Sequence, residues 1–125
     1  SVLSATEEVL PQMESSVDAK NLMEWALKEI DPSLKIMGPL AFDNSISNHA
    51  AKMKGIDNQV AGNANILLVP NIETGNSLVK MLVNFLDATA GGFVTGSSIP
   101  VVITSRSDSL DSRLSSISNA LLSIQ

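Results

Sequence analysis

Ile66-Leu67-Leu68-Val69-Pro70-Asn71-Ile72-Glu73-Thr74-Gly75-Asn76 is the stretch that decides the fold. Four consecutive apolar residues bounded by a proline read as a short strand buried on both faces, the kind found in parallel sheets. A polar loop follows. Leu78, Met81, Leu82, Phe85 and Leu86 then recur on one face of a helix. The unit is strand, loop, helix.

The same order recurs on either side. Residues 35–37 form a plausible strand leading into Gly38-Pro39-Leu40-Ala41-Phe42-Asp43-Asn44, and an apolar run in 99–104 leads into Thr104-Ser105-Arg106-Ser107-Asp108-Ser109. In open α/β sheets, ligands bind at the loops that leave the carboxyl ends of the strands. Three such loops predict one shared site.

Further out, residues 2–5 read as a buried strand and 93–95 as a short one. Asp18 stands where a helix N-cap belongs, ahead of an apolar face of Ala19, Leu22, Met23, Ala26, Leu27 and Ile30 that Asp31-Pro32 terminates. Asp43 or Asn44 can cap a second helix carrying Ile46, Ala50 and Met53, with Gly55 just past its end. The last helix is the most regular, with Leu110, Leu114, Ile117, Leu121 and Ile124 spaced alternately by four and three residues. Strands alternating with helices predict an α/β fold, a mostly parallel sheet flanked by helices, in one domain over residues 1–125.

Composition narrows the function. A chain of 125 residues, 44% apolar, holds one domain with a core. Its aromatics are Trp25, Phe42, Phe85 and Phe93 alone, so that core must be aliphatic. No cysteine is present, which excludes a disulfide framework, a thiolate metal site and a cysteine nucleophile. The net charge of −5, with eight scattered basic residues, weighs against nucleic acid. No apolar run is long enough to span a bilayer, no signal peptide precedes the body, and a cytoplasmic protein is expected. The chain opens on Ser1 and enters an apolar run at Val2, so further polypeptide is expected upstream.

The third loop carries the most chemistry. The first N–H groups of a helix lack internal acceptors and sit at the positive end of its dipole. A phosphate there could also take hydrogen bonds from Thr104 and Ser105 and a bidentate grip from Arg106. The plainer alternative is that Ser107 or Asp108 caps the helix and Arg106 is merely solvated. In the second loop, Gly75 could let a backbone approach a ligand and Asn76 could donate to it, or both could serve an ordinary cap. Asp43 is likewise a cap or a site residue. There is no Walker loop, GxGxxG or HExxH pattern, and His49, the sole histidine, is expected on an exposed face. No metal site is expected.

Taken in order, the GPLAFDN segment 38–44, Lys54-Gly55-Ile56, Val60-Ala61-Gly62, the segment 66–76, Lys80 and Pro100 to Ser109 resemble the phosphate acetyl/butyryltransferase family. The GPLAFDN and TSRSDS forms are similar to its butyryltransferase branch. The resemblance implies transfer of a short acyl group between coenzyme A and inorganic phosphate. It implies a two-domain fold like that of isocitrate and isopropylmalate dehydrogenases, of which this chain is the carboxy-terminal part without the amino-terminal domain. A homo-oligomer and no permanently bound cofactor are implied, with coenzyme A, acyl phosphate and phosphate as substrates.

Carried onto matching positions, the resemblance makes Ser105 and Arg106 site residues, for the oxyanion and the phosphoryl group. Asp43, Glu73, Gly75, Asn76, Lys80, Thr104 and Asp108 are implied substrate contacts. The thiol needs a base, and the acetyltransferase branch has an aspartate where Ser112 stands here. Asp111 or Asp108 is the available neighbour, with Asp111 favoured. Asn71 replaces the aspartate of a PDIEAGN pattern, removing a charge from the second loop. A different outcome is a fragment that binds ligand or contacts subunits without catalysis, because the other cleft wall would be missing.

Overall fold

The computed structural model describes residues 1–124, which group into two compact units, Ser1–Gly75 and residues 76–124.

In the first unit, residues 1–4 run between two parallel neighbours. Val2 bridges Leu68 and Leu3 bridges Leu40, both in parallel sense. Val2 N–H donates to Met37 O (2.8 Å), Ser4 N–H to Leu40 O (2.9 Å), Leu3 N–H to Leu68 O (2.8 Å) and Leu68 N–H to Ser1 O (2.9 Å). The expected sheet is therefore reduced to single bridges, with no extended ladder among the described residues. Proline explains part of this: Pro39 and Pro70 have no N–H to donate, so each leaves a gap, and pairing resumes after Pro39 at Leu40, whose N–H donates to Val2 O (3.1 Å).

The central position belongs to residues 1–4, not to 66–69. Val2 and Leu3 are buried, whereas Ile66 and Leu68 are 74% and 47% exposed. The expectation of a doubly buried strand at 66–69 is corrected to an edge segment. The compact core is aliphatic, built on Leu40, Ala51 and Ala61 with Met37 and Ile56 against them.

Helix α1 (Glu14–Trp25) continues through a wider π turn, Ala26–Ile30, and stops at Asp31 ahead of Pro32. It begins five residues earlier than an Asp18 cap would place it. Buried Ser16 explains the start: its hydroxyl accepts Leu10 N–H (2.9 Å) and donates to Met13 O (2.8 Å), tying the preceding turn to the first helical turn. Ala19 and Ala26 face inward as the spacing requires, but Ile30 is exposed.

The second expected helix is two short ones, α2 (Phe42–Ile46) and α3 (Asn48–Met53). Ser47 breaks them, because its hydroxyl accepts Ala50 N–H (3.2 Å) and starts α3 afresh. Gly55, just past the end of α3, has φ 68°, as the C′ position demands.

Helix α4 (Ile72–Phe85) crosses the division between units, and α5 (Leu110–Leu122) ends the second. Two extended segments of the second unit meet at Val94 and Val101, which bridge in antiparallel sense. The parallel arrangement expected there is corrected: residues 95–100 turn the chain back on itself without a helical crossover, so antiparallel pairing follows.

The largest departure is the orientation of α5. Ser112, Ser116 and Ala120 are buried, while Leu110, Leu114, Ile117, Leu121 and Ile124 are exposed. Small residues face inward because the backbone at 91–92 lies against the helix. Gly92 N–H donates to Ser116 Oγ (3.0 Å), and a Cβ on Gly91 would collide with Ser115 and Asn119.

Candidate functional site

Parallel pairing fixes which loops share an end. Residues 5–8, 41–44 and 70–73 all follow the carboxyl ends of the three bridged segments in the first unit. The first two expected loops are therefore gathered at one end, joined by a third, Thr6-Glu7-Glu8, which the sequence marked only as the end of a strand.

Glu7 is the centre of that end. Its Oε2 accepts from Lys54 Nζ (2.7 Å) and from Asn44 Nδ2 (3.1 Å). The Lys54 hydrogen bond is the larger cause, and Asn44 a smaller one, of a Glu7 carboxyl held below its ordinary value. The same bond raises Lys54. Asn44 is completely buried and its Oδ1 has no hydrogen-bond partner among the described residues. Its orientation is nonetheless fixed, since only the Nδ2 end can donate to a carboxylate. Lys54 belongs to a recognised motif, but no local pattern pairs Glu7 with a lysine 47 positions away.

Asp43 is exposed in the first turn of α2, where its Oδ1 accepts Asn44 N–H (2.9 Å). It stabilises the turn.

The second loop is largely helix. Asn71 caps α4, its Oδ1 accepting from Thr74 N–H (2.9 Å) and Thr74 Oγ1 (2.7 Å). The loss of an aspartate there thus keeps the cap while dropping the charge. Glu73 is exposed in the first turn. Gly75 lies inside α4, and a Cβ there would sit 3.0 Å from Val69 Cγ2. Close packing of helix on strand accounts for this glycine without a ligand. Asn76 is exposed and Lys80 half-buried farther along α4, where the Lys80 carbonyl accepts Asn84 Nδ2 (2.7 Å). Pro70 and Asn71 also line a cleft of about 890 Å³ with Asp18 and Trp25 of α1.

The third loop belongs to the second unit and is a tight hydroxyl-rich turn. Ser105 N–H donates to Asp108 Oδ2 (2.7 Å), and Asp108 N–H returns to Ser105 O (3.2 Å). Ser105 and Ser107 hydroxyls lie 3.0 Å apart. The cap of α5 is neither Ser107 nor Asp108 but Ser109, whose Oγ accepts Ser112 N–H (3.2 Å). Arg106 is exposed, with its carbonyl accepting from Arg113 Nη2 (3.3 Å) and no ion pair to its guanidinium among the described residues. Thr104 and Asp111 are exposed on either side, Asp111 in the first turn of α5. Ser112 is buried under the cap. Chemically, the turn offers an open guanidinium, several hydroxyls and a helix start, a set suited to an oxyanion.

The first unit thus holds parallel bridges with polar turns at their carboxyl ends, and the second holds a hydroxyl-and-arginine turn that opens a helix. The family follows from comparison: the model described as phosphate acetyl/butaryl transferase matches residues 1–120, and the chain belongs to that family. It is 44% identical over 121 residues to a phosphate acetyltransferase of Rhizobium meliloti, covering 97% of this chain and 38% of the relative. It is also 44% identical over 119 residues to a probable phosphate butyryltransferase of Bacillus subtilis (strain 168), covering 95% and 40%. A solved structure, of a branched-chain phosphotransacylase from Enterococcus faecalis V583, matches with a TM-score of 0.86 at 39% identity, over 99% of this chain and 44% of the other. The chain spans about two-fifths of the length of these relatives. Acetyl- and butyryltransferases match it equally well.

Proposed function

We propose that this chain is the phosphate-gripping part of a short-chain phosphate acyltransferase, on the butyryltransferase side of the family, which moves an acyl group between coenzyme A and inorganic phosphate. Arg106 grips the phosphoryl group of the acyl phosphate, with Thr104 and the α5 N–H groups beside it. Ser105 Oγ donates to the oxyanion as it forms. The coenzyme A sulfur, its proton passed to a carboxylate, attacks the acyl carbon. The tetrahedral intermediate collapses, the carbon–oxygen bond breaks and phosphate leaves as the anion. Asp111 suits the base better than Asp108, whose carboxylate already closes the turn on Ser105 N–H. Asp43, Glu73, Gly75, Asn76 and Lys80 serve the coenzyme A side, and the assembled enzyme is a cytoplasmic homo-oligomer.

The observation that carries this reading is the open guanidinium of Arg106 in a hydroxyl-rich turn at the start of α5. A thiol-consumption assay with coenzyme A and acetyl or butyryl phosphate tests it. The assay uses the 125-residue chain and a chimera in which it replaces the matched stretch of the E. faecalis relative. Thioester formation by the chimera, faster with butyryl phosphate, is expected; none with either substrate removes the reading. The coverage of two-fifths favours a second reading for the chain by itself, a ligand-binding portion without turnover. Coenzyme A binding without thioester formation by the 125-residue chain supports that, and appreciable turnover excludes it.

A further inference from the structure

Five apolar side chains of α5 and its continuation, Leu110, Leu114, Ile117, Leu121 and Ile124, are each at least 48% exposed. Their spacing alternates between four and three residues, the seam spacing by which one helix packs along another at a shallow angle. A different face of the helix is already used, by Ser112, Ser116 and Ala120. A helix normally buries its apolar stripe and exposes its serines; α5 does the reverse.

We infer that this seam is the docking face for an amphipathic helix of the polypeptide that the relatives carry outside the matched stretch, with its own apolar residues at the same spacing. The inference rests on family membership and not on the reaction. Size decides against a second copy of α5 as the occupant. The seam is about 21 Å long and roughly 10 Å wide, or on the order of 200 Å² a side, against roughly 800 Å² a side for a standard stable interface. The occupant must bring further contact with it. More than half of the E. faecalis chain has no counterpart here, which is body enough. The seam begins at Leu110, next to the Ser109 cap, and Arg113 on the same helix holds the Arg106 carbonyl. A body seated there places a second wall next to the anion turn.

The chain has no cysteine, so one introduced thiol reports on one position. Ile117→Cys probes the seam and Ser118→Cys the exposed flank, each in the 125-residue chain and in a cysteine-free form of the chimera, by rate of labelling with a thiol reagent. In the 125-residue chain both should label at similar rates, independent of protein concentration. In the chimera, Ile117→Cys should slow by at least ~100-fold while Ser118→Cys stays fast. Fast labelling of Ile117→Cys in the chimera overturns the inference. So does protection already present in the dilute 125-residue chain, which means the seam is covered within it, or protection that grows with concentration, which means a second copy covers it. Protection in a chimera that forms no thioester leaves the docking face standing and removes only the enzymatic reading.

Discussion

Ser109 caps α5, and that single hydroxyl frees the turn before it. Had Ser107 or Asp108 served as the cap, the Ser105–Asp108 turn would be consumed in starting a helix. Ser109→Ala should lower stability by about 1 kcal/mol, the usual cost of an N-cap, measured by urea denaturation followed by circular dichroism. Arg106→Ala should leave stability unchanged, because its exposed guanidinium supports no ion pair among the described residues. In the chimera it should cut thioester formation by about 100-fold or more, the scale of removing one group that stabilises developing charge. Glu7 makes a pH prediction. Its folded value is depressed, chiefly by Lys54, so the stability it contributes is full above the ordinary 4.5 and is lost as pH falls through the lowered value. The difference in melting temperature between the native chain and Glu7→Gln should therefore shrink on acidification below that point. A constant difference would mean the pair does not form. Ser105, Arg106 and Asp43 were legible as candidates because loop chemistry is local. Glu7 was not, since its partners, Asn44 and Lys54, arrive from other elements.

At the scale of elements, helices were legible and sheets were not, for a physical reason. Helical periodicity is written over many residues, so α4 and α5 lie close to where spacing put them. An extended segment of four residues carries no sign of how many partners it has. Residues 66–69 read as a buried strand because all four are apolar, yet they pair on one side only, with Leu68 half-exposed. Periodicity also fixes a face without fixing its direction. The stripe of α5 was found correctly and points outward, because nothing local records which face meets the Gly91–Gly92 backbone. The join of α3 with the following turn offers a test. Gly62 has φ 80°, and a Cβ on it would lie 2.6 Å from Asn48 backbone atoms at the start of α3. Gly62→Ala combines a strained backbone with that collision and should cost well over ~1 kcal/mol, read from a thermal or urea melt. A neutral effect would show that the turn is not held there.

Across the whole molecule, exposed apolar surface is plentiful. Ile72, Phe85, Leu86 and the α5 seam are large exposed hydrophobics in a chain that spans two-fifths of its relatives. Such surface is expected where a larger assembly covers it. On the proposed function, positioning two substrates would need both walls of a cleft, while phosphate alone would be gripped by the turn at the start of α5. Titration of the isotopically labelled 125-residue chain with inorganic phosphate, followed by amide NMR, isolates that grip from turnover. Saturable shifts confined to residues 104–112, and lost in Arg106→Ala, are the predicted result. Shifts elsewhere, or the same shifts after Arg106 is removed, would contradict it.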